Sequence, residues 1–333
     1  MKIKPMTKFA ILALSLVLVA CAGGGSEEAG CPAIDGREIN VVATTPMIGE
    51  FVSQVGGENI NLTVLMPPEA NPHTYEPAPQ DAGTIAEADL VFYTGLLYEP
   101  AALVKLLENS ACSTDILSEV GESVFPIEFK EGGHDDHDDH DDHDDEEGHD
   151  DHEGHNHGAY DPHFWFDPSR VAYAAEYIES RLIQFDPENE SSYKSSADSF
   201  VSELNDLTKQ VSELISTVPS QNRKLITTHE SLGYLEAKFG LEVLSTIIPS
   251  LNSANEISPS DLAGVIDVIE DNNVKVIFIE SEAPSVYSET IVAETGIKSV
   301  TGLYVETLKP GQSYSEFLIS NVTLITENLQ DTD

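Results

Sequence analysis

The chain has 333 residues, 40% of them hydrophobic, which is enough to fill the cores of two lobes and too much for a disordered polymer. Its 59 acidic and 16 basic side chains give a formal charge of −43, which excludes nucleic acid and anionic membrane surfaces as partners. Thirteen acidic groups lie between His134 and His157; the remaining 46 still outnumber the basic ones, so the folded surface is acidic and attracts cations.

The first residues read as an address rather than as structure. Lys2, Lys4 and Lys8 precede an apolar run from Phe9 to Ala20, which is too short to span a bilayer comfortably. Leu18-Val19-Ala20-Cys21 and a Gly/Ser/Glu-rich tether follow. The pattern resembles a bacterial lipobox, so residues 1–20 are expected to be a signal peptide and Cys21 the lipidated first residue of the mature chain. An ordinary signal peptide with an incidental cysteine is the alternative. Cys31 and Cys112 remain. In an exported protein they either form a disulfide or stay as two buried thiols.

After a tether over 21–38, strands are predicted at 39–45, 60–66, 90–95 and 124–128, alternating with helices at 46–55, 81–88, 100–108 and 168–182. The order implies a parallel sheet with helices on its faces. Asp186-Pro187 then reads as the N-cap and first residue of a long helix. In it Tyr193, Ala197, Phe200, Leu204, Leu207, Val211, Leu214 and Val218 recur at three- and four-residue intervals, and Pro219 ends it. A rod of roughly 45 Å in mid-chain suits a spine between two lobes. Strands at 224–228, 241–247, 274–280 and 300–305 and helices at 232–239, 259–272, 286–295 and 315–329 form a second α/β unit. The expected fold class is α/β: two parallel-sheet lobes, 39–185 and 219–333, joined by one long rigid helix within 186–218, with a binding cleft between them.

Eight of the eleven histidines stand in the tract from His134 to His157, inside an expected disordered loop over 131–159. Its His-Asp-Asp repeats lack apolar side chains and repel one another, so they cannot fill a core. The tract is either a solvated acidic loop or a mobile arm that collects metal at many weak sites.

Only His73, His163 and His229 remain for the folded body. His73 stands in Ala-Asn-Pro-His-Thr-Tyr-Glu-Pro after the second strand, and His163 in Asp-Pro-His-Phe-Trp-Phe-Asp-Pro before a helix. His229 closes the strand Lys-Leu-Ile-Thr-Thr-His-Glu. Ligands of open α/β sheets bind beyond the carboxyl ends of the strands, so these three can converge on one cleft. Each taken alone reads equally well as a structural residue. Glu280, at the end of Val-Lys-Val-Ile-Phe-Ile-Glu, is either a carboxylate that orients a histidine or a capping or surface group. The sequence has no His-Glu-x-x-His helix of the metalloprotease type.

Together these segments, the spine helix and the final Leu-Tyr-Val-Glu-Thr-Leu resemble the cluster A-I solute-binding proteins of zinc and manganese ABC importers. The resemblance runs from about Ile39 to the C-terminus. It implies no enzymatic activity and a metal held between the lobes by His73, His163, His229 and Glu306, the last standing where Asp is commoner. It requires His229 rather than Glu230 to coordinate, and zinc-type members carry similar His/acid-rich loops. Three imidazoles and a carboxylate suit four-coordinate Zn²⁺; Mn²⁺ is the alternative and iron a lesser one. The implied partner is a membrane permease with its cytoplasmic ATPase. The implied place is the outer face of the cytoplasmic membrane, or the periplasm of a two-membrane cell, with the chain a lipid-anchored monomer. A surface metal buffer or adhesin is the rival reading. Affinity is expected to fall as pH drops through about 6.5, the ordinary value for imidazole.

Overall fold

The computed structural model describes residues 31, 34, 36–68, 70–129, 160–248, 259–281 and 286–330. The signal peptide expected over 1–20, the expected lipidation site Cys21 and the His/Asp tract lie outside the described residues. Among the described residues no helix is long and apolar enough to cross a membrane.

Strand β1 (Ile39–Ala43) is buried on both faces, as a central parallel strand must be when helices cover the sheet. Thr45 then starts α1 (Pro46–Gly56): its hydroxyl accepts the Ile48 N–H, and Pro46 takes the first helical position, where no N–H is needed. The chain continues through β2 (Ile60–Val64), α2 (Pro79–Ala86), β3 (Leu90–Tyr93), α3 (Ala101–Ser110) and β4 (Leu117–Glu119). The four strands form one parallel sheet in the order β2-β1-β3-β4. Their carboxyl ends therefore share one edge.

The strand predicted at 124–128 does not form. Gly121–Val124 is a 3₁₀ turn, Phe125 takes a left-handed φ of 53°, and Pro126 has no N–H to give a ladder. Only an isolated bridge joins Glu128 to Tyr160. The fourth strand lies earlier, at Leu117–Glu119, too short to show an alternating pattern in sequence.

Helix α4 (Pro168–Phe185) leads to α5 (Glu190–Ser216), whose 27 residues make a rod of about 40 Å. Asp186 does not cap it directly. Pro187–Asn189 is a 3₁₀ turn, and the Asp186 carboxylate accepts from Asn189 Nδ2 and from the Tyr193 hydroxyl, one turn into the helix. The buried stripe runs Tyr193, Ala197, Phe200, Leu204, Leu207, Val211 and Ile215; Ile215 takes the inward position expected for Leu214.

The second half supplies β5 (Lys224–Thr227), α6 (Gly233–Phe239), β6 (Glu242–Thr246), α7 (Pro259–Asp271), β7 (Val276–Glu280), α8 (Val286–Thr295), β8 (Lys298–Leu303) and α9 (Tyr314–Gln330). β5 pairs with β6, and β7 with β8, both in parallel. Helix α5 packs on α1 and α4 of the first half and on α6 and α9 of the second. One apolar cluster, including Phe51, Trp165, Phe200 and Phe317, runs through both halves along it. The molecule is thus a two-lobed α/β protein built on one long helix.

Cys31 and Cys112 are joined in a disulfide with their Cα atoms 5.0 Å apart. The bond closes a loop between residues 81 positions apart and ties Cys31, ahead of β1, to the end of α3. Loop closure of that length is expected to stabilise the fold by about 2–4 kcal/mol. A Cys112→Ala chain should therefore unfold at lower denaturant; an unchanged midpoint would show that the crosslink adds nothing.

Candidate metal centre

His73 lies in a 3₁₀ turn, Pro72–Thr74, on the chain leaving β2. The Asn71 side chain accepts the His73 N–H at 2.9 Å and Pro72 fixes the backbone before it, so the turn aims the imidazole inward. His163 precedes the turn Phe164–Phe166 and α4. Asp161 Oδ1 accepts both the His163 N–H, at 2.9 Å, and the ring Nδ1, at 2.7 Å. His229 stands two residues beyond β5, where Glu280, the last residue of β7, takes its N–H on one oxygen and its Nδ1 on the other. Glu306 follows β8 by three residues. The indole of Trp165 donates to the neighbouring Val305 carbonyl at 2.8 Å and ties this segment to the first half.

The four side chains meet. Glu306 Oε1 lies 3.1 Å from His73 Nε2, 3.3 Å from His163 Nε2 and 2.9 Å from His229 Nε2. All four potential ligand atoms fall within 4.8 Å of one another. A tetrahedral ion with bonds of about 2.0–2.1 Å needs edges near 3.3 Å, which the three oxygen–nitrogen distances already approach. With Nδ1–H of His163 and of His229 given to carboxylates, each Nε2 faces this point and offers its lone pair there once its own proton has left. His229 belongs to the set and Glu230 does not.

The electrostatics oppose each other. Burial disfavours the charged form of His163, but Glu306 and the hydrogen-bonded Asp161 outweigh it and raise its pKa to about 9. His229 is likewise disfavoured by burial and then pushed up to about 10 by Glu280 and Glu306. Burial works against the Glu306 carboxylate as well, yet His73 and His163 hold it ionised well below the usual carboxylate range. A buried anion ringed by imidazoles that attract protons is also a place that attracts a divalent cation.

Sequence reasoning named His73, His163, His229 and Glu306, and the structure brings them together; Glu280 stands directly behind His229. Cys31 and Cys112 are paired elsewhere, Cys112 against the core beneath β3 and β4. Two residues were missed. Asp161 had a signal, a carboxylate two positions before a histidine, the reach of an Asx-type turn. Tyr98, whose hydroxyl donates to Glu306 Oε2 at 2.8 Å, had none. Asp161→Asn and Glu280→Gln should each weaken metal binding about 10–100-fold by freeing a ring to rotate. Chelator competition measures this, and wild-type affinity in both variants would remove the orienting role.

Residues 41–328 match the family described as "ZnuA: Zinc-uptake complex component A periplasmic". The chain is 28% identical over 331 residues to the "High-affinity zinc uptake system protein ZnuA" of Bacillus subtilis, covering 96% of each. It is 26% identical over 336 residues to the "Manganese ABC transporter substrate-binding lipoprotein PsaA" of Streptococcus anginosus, covering 98% of this chain and 99% of the other. Its fold is similar to the periplasmic zinc binding protein TroA of Treponema pallidum, with a TM-score of 0.73 and 21% identity over 88% of this chain and 99% of that one.

Proposed function

Because the chain belongs to the periplasmic component A family of zinc-uptake complexes, the non-enzymatic metal-binding subunits of ABC importers, we propose that its cargo is Zn²⁺. His73, His163, His229 and Glu306 hold the ion, and a membrane permease with a cytoplasmic ATPase receives it. The observation that carries this reading is the convergence of three imidazole Nε2 atoms on one buried carboxylate oxygen. Three neutral nitrogens and one oxygen are a donor set for a borderline four-coordinate cation. A histidine at position 229, rather than a harder carboxylate, favours zinc over manganese. The relative from Streptococcus anginosus is named for manganese, and that metal is the second reading.

Residues 39–185 and 219–333 act as two lobes, and α5 as the spine that limits their relative motion to a small tilt. Residues 1–20 are removed on export, and lipid on Cys21 keeps the monomer at the outer face of the cytoplasmic membrane near its permease. A Cys21→Ser chain should then be shed into the soluble fraction, whereas retention on the membrane would exclude the anchor.

The test of cargo is metal analysis of chelator-stripped protein reloaded from a mixture. Wild type should return one tightly held Zn²⁺ against a roughly hundredfold excess of Mn²⁺. Alanine at His73, His163 or His229 should abolish retention. A wild-type chain that came back loaded with manganese would overturn zinc, and one whose only bound metal vanished on deleting 134–157 would favour the surface-buffer reading.

A further inference from the structure

Tyr98 is the buried group on the carboxylate's other side, and the chain goes to some length to place it. The segment after β3 passes through three successive left-handed residues, Gly95, Leu96 and Leu97, with φ of 77°, 53° and 61°. Glycine accepts that conformation; two leucines do not without strain. Leu97 is also 61% exposed, so core burial does not explain the turn. The loop is nonetheless held firmly. Thr94 and Gly95 donate their N–H groups to Glu99 at 2.7 and 2.9 Å, and Leu96 donates to Glu119 at 2.9 Å.

What the loop delivers is the Tyr98 ring, 1% exposed and packed edge-on against His73, His163 and Trp165 with centroids 4.9, 5.9 and 5.4 Å away. Fixed on these sides, its hydroxyl donates to Glu306 Oε2 at 2.8 Å while Oε1 faces the three imidazoles. A carboxylate with both oxygens turned inward can bind a cation through two bonds and raise its coordination number, which suits harder ions that prefer many oxygens. A carboxylate engaged by a phenol on one oxygen offers the other alone.

We propose that Tyr98 is a specificity-determining positioning residue: by engaging Glu306 Oε2 it makes the carboxylate monodentate and holds the site at four-coordination, favouring Zn²⁺ over Mn²⁺. This rests on the reading of His73, His163, His229 and Glu306 as the ligands.

Tyr98→Phe keeps the ring and its packing and removes only the hydroxyl. Full-length protein, wild type and variant, is loaded with Co²⁺ for visible spectroscopy, and Zn²⁺ and Mn²⁺ affinities are measured by competition. Wild type should show the intense visible bands of four-coordinate cobalt. In the variant those bands should weaken, and the preference for Zn²⁺ over Mn²⁺ should narrow by about tenfold or more. Unchanged bands with an unchanged preference would overturn the proposal, as would equal weakening of both metals without a spectral change, the mark of a purely structural tyrosine. Weak bands in wild type would overturn it without recourse to the variant, so the claim stays testable should Tyr98→Phe not fold. A wild-type chain that took up no metal would instead remove the ligand assignment itself, and this inference with it.

Discussion

Replacing Glu306 with alanine is expected to lower metal affinity by about 10²–10⁴-fold while the chain still folds. Glu306 is 1% exposed, and its Oε1 lies within 3.3 Å of the Nε2 atoms of all three imidazoles. Three neutral imidazoles supply lone pairs but no charge. Without Glu306 a divalent ion would keep its whole charge in a buried site, with Asp161 and Glu280 acting only through the rings they hold. Breaking a buried charge pair costs about 3–5 kcal/mol, which is the quoted range in affinity. The metal-free fold suffers less, because His163 and His229 can shed the protons that Glu306 had stabilised and become neutral. What it loses is a hydrogen bond from Tyr98 and some packing. Chelator competition and thermal unfolding on the same sample separate the two effects. A loss under tenfold with an intact fold would mean Glu306 is no ligand; an unfolded chain would mean its role is structural.

How much of this could be read in advance depended on how local each signal was. The α5 stripe was legible because seven buried contacts repeat at helical spacing over 27 residues. The same reading put Pro187 inside the helix, since a 3₁₀ turn and an α-helical first turn share their residue preferences. β4 was invisible because three residues cannot establish a period, whereas Val124 to Glu128 is apolar enough to suggest a strand until the left-handed Phe125 breaks it. The site followed the same rule. His73, His163 and His229 could be found because few histidines lie outside the acidic tract, each on a connecting segment rather than on an apolar helical face. Tyr98 could not, because its contact with Glu306 spans 208 positions and depends on a loop conformation that its leucines give no reason to expect. Long-range hydrogen bonds of this kind are decided by the packed lobes and leave no local pattern.

The pH dependence follows from the same pairing and runs in opposite directions for binding and for stability. With pKa values near 9 and 10, His163 and His229 hold protons at neutral pH in the metal-free protein, on nitrogens that must be bare to bind. Metal entry therefore displaces about two protons, and affinity should rise about a hundredfold per pH unit from pH 6 to 8. Ordinary imidazoles would level off above about 6.5; here the rise should continue toward pH 9. The metal-free fold behaves inversely. A raised histidine pKa contributes stability that is full below about 6.5 and is lost as pH climbs through 9 and 10, so unfolding temperature should decline across that window unless metal is bound. Calorimetry in buffers of different ionisation enthalpy counts the protons directly. Release of none at pH 7 would show that the imidazoles are already neutral and that only Glu306 attracts the ion. If about two are released, a fall of one pH unit beside the membrane would loosen the metal as much as losing an orienting carboxylate, with no movement of the lobes required.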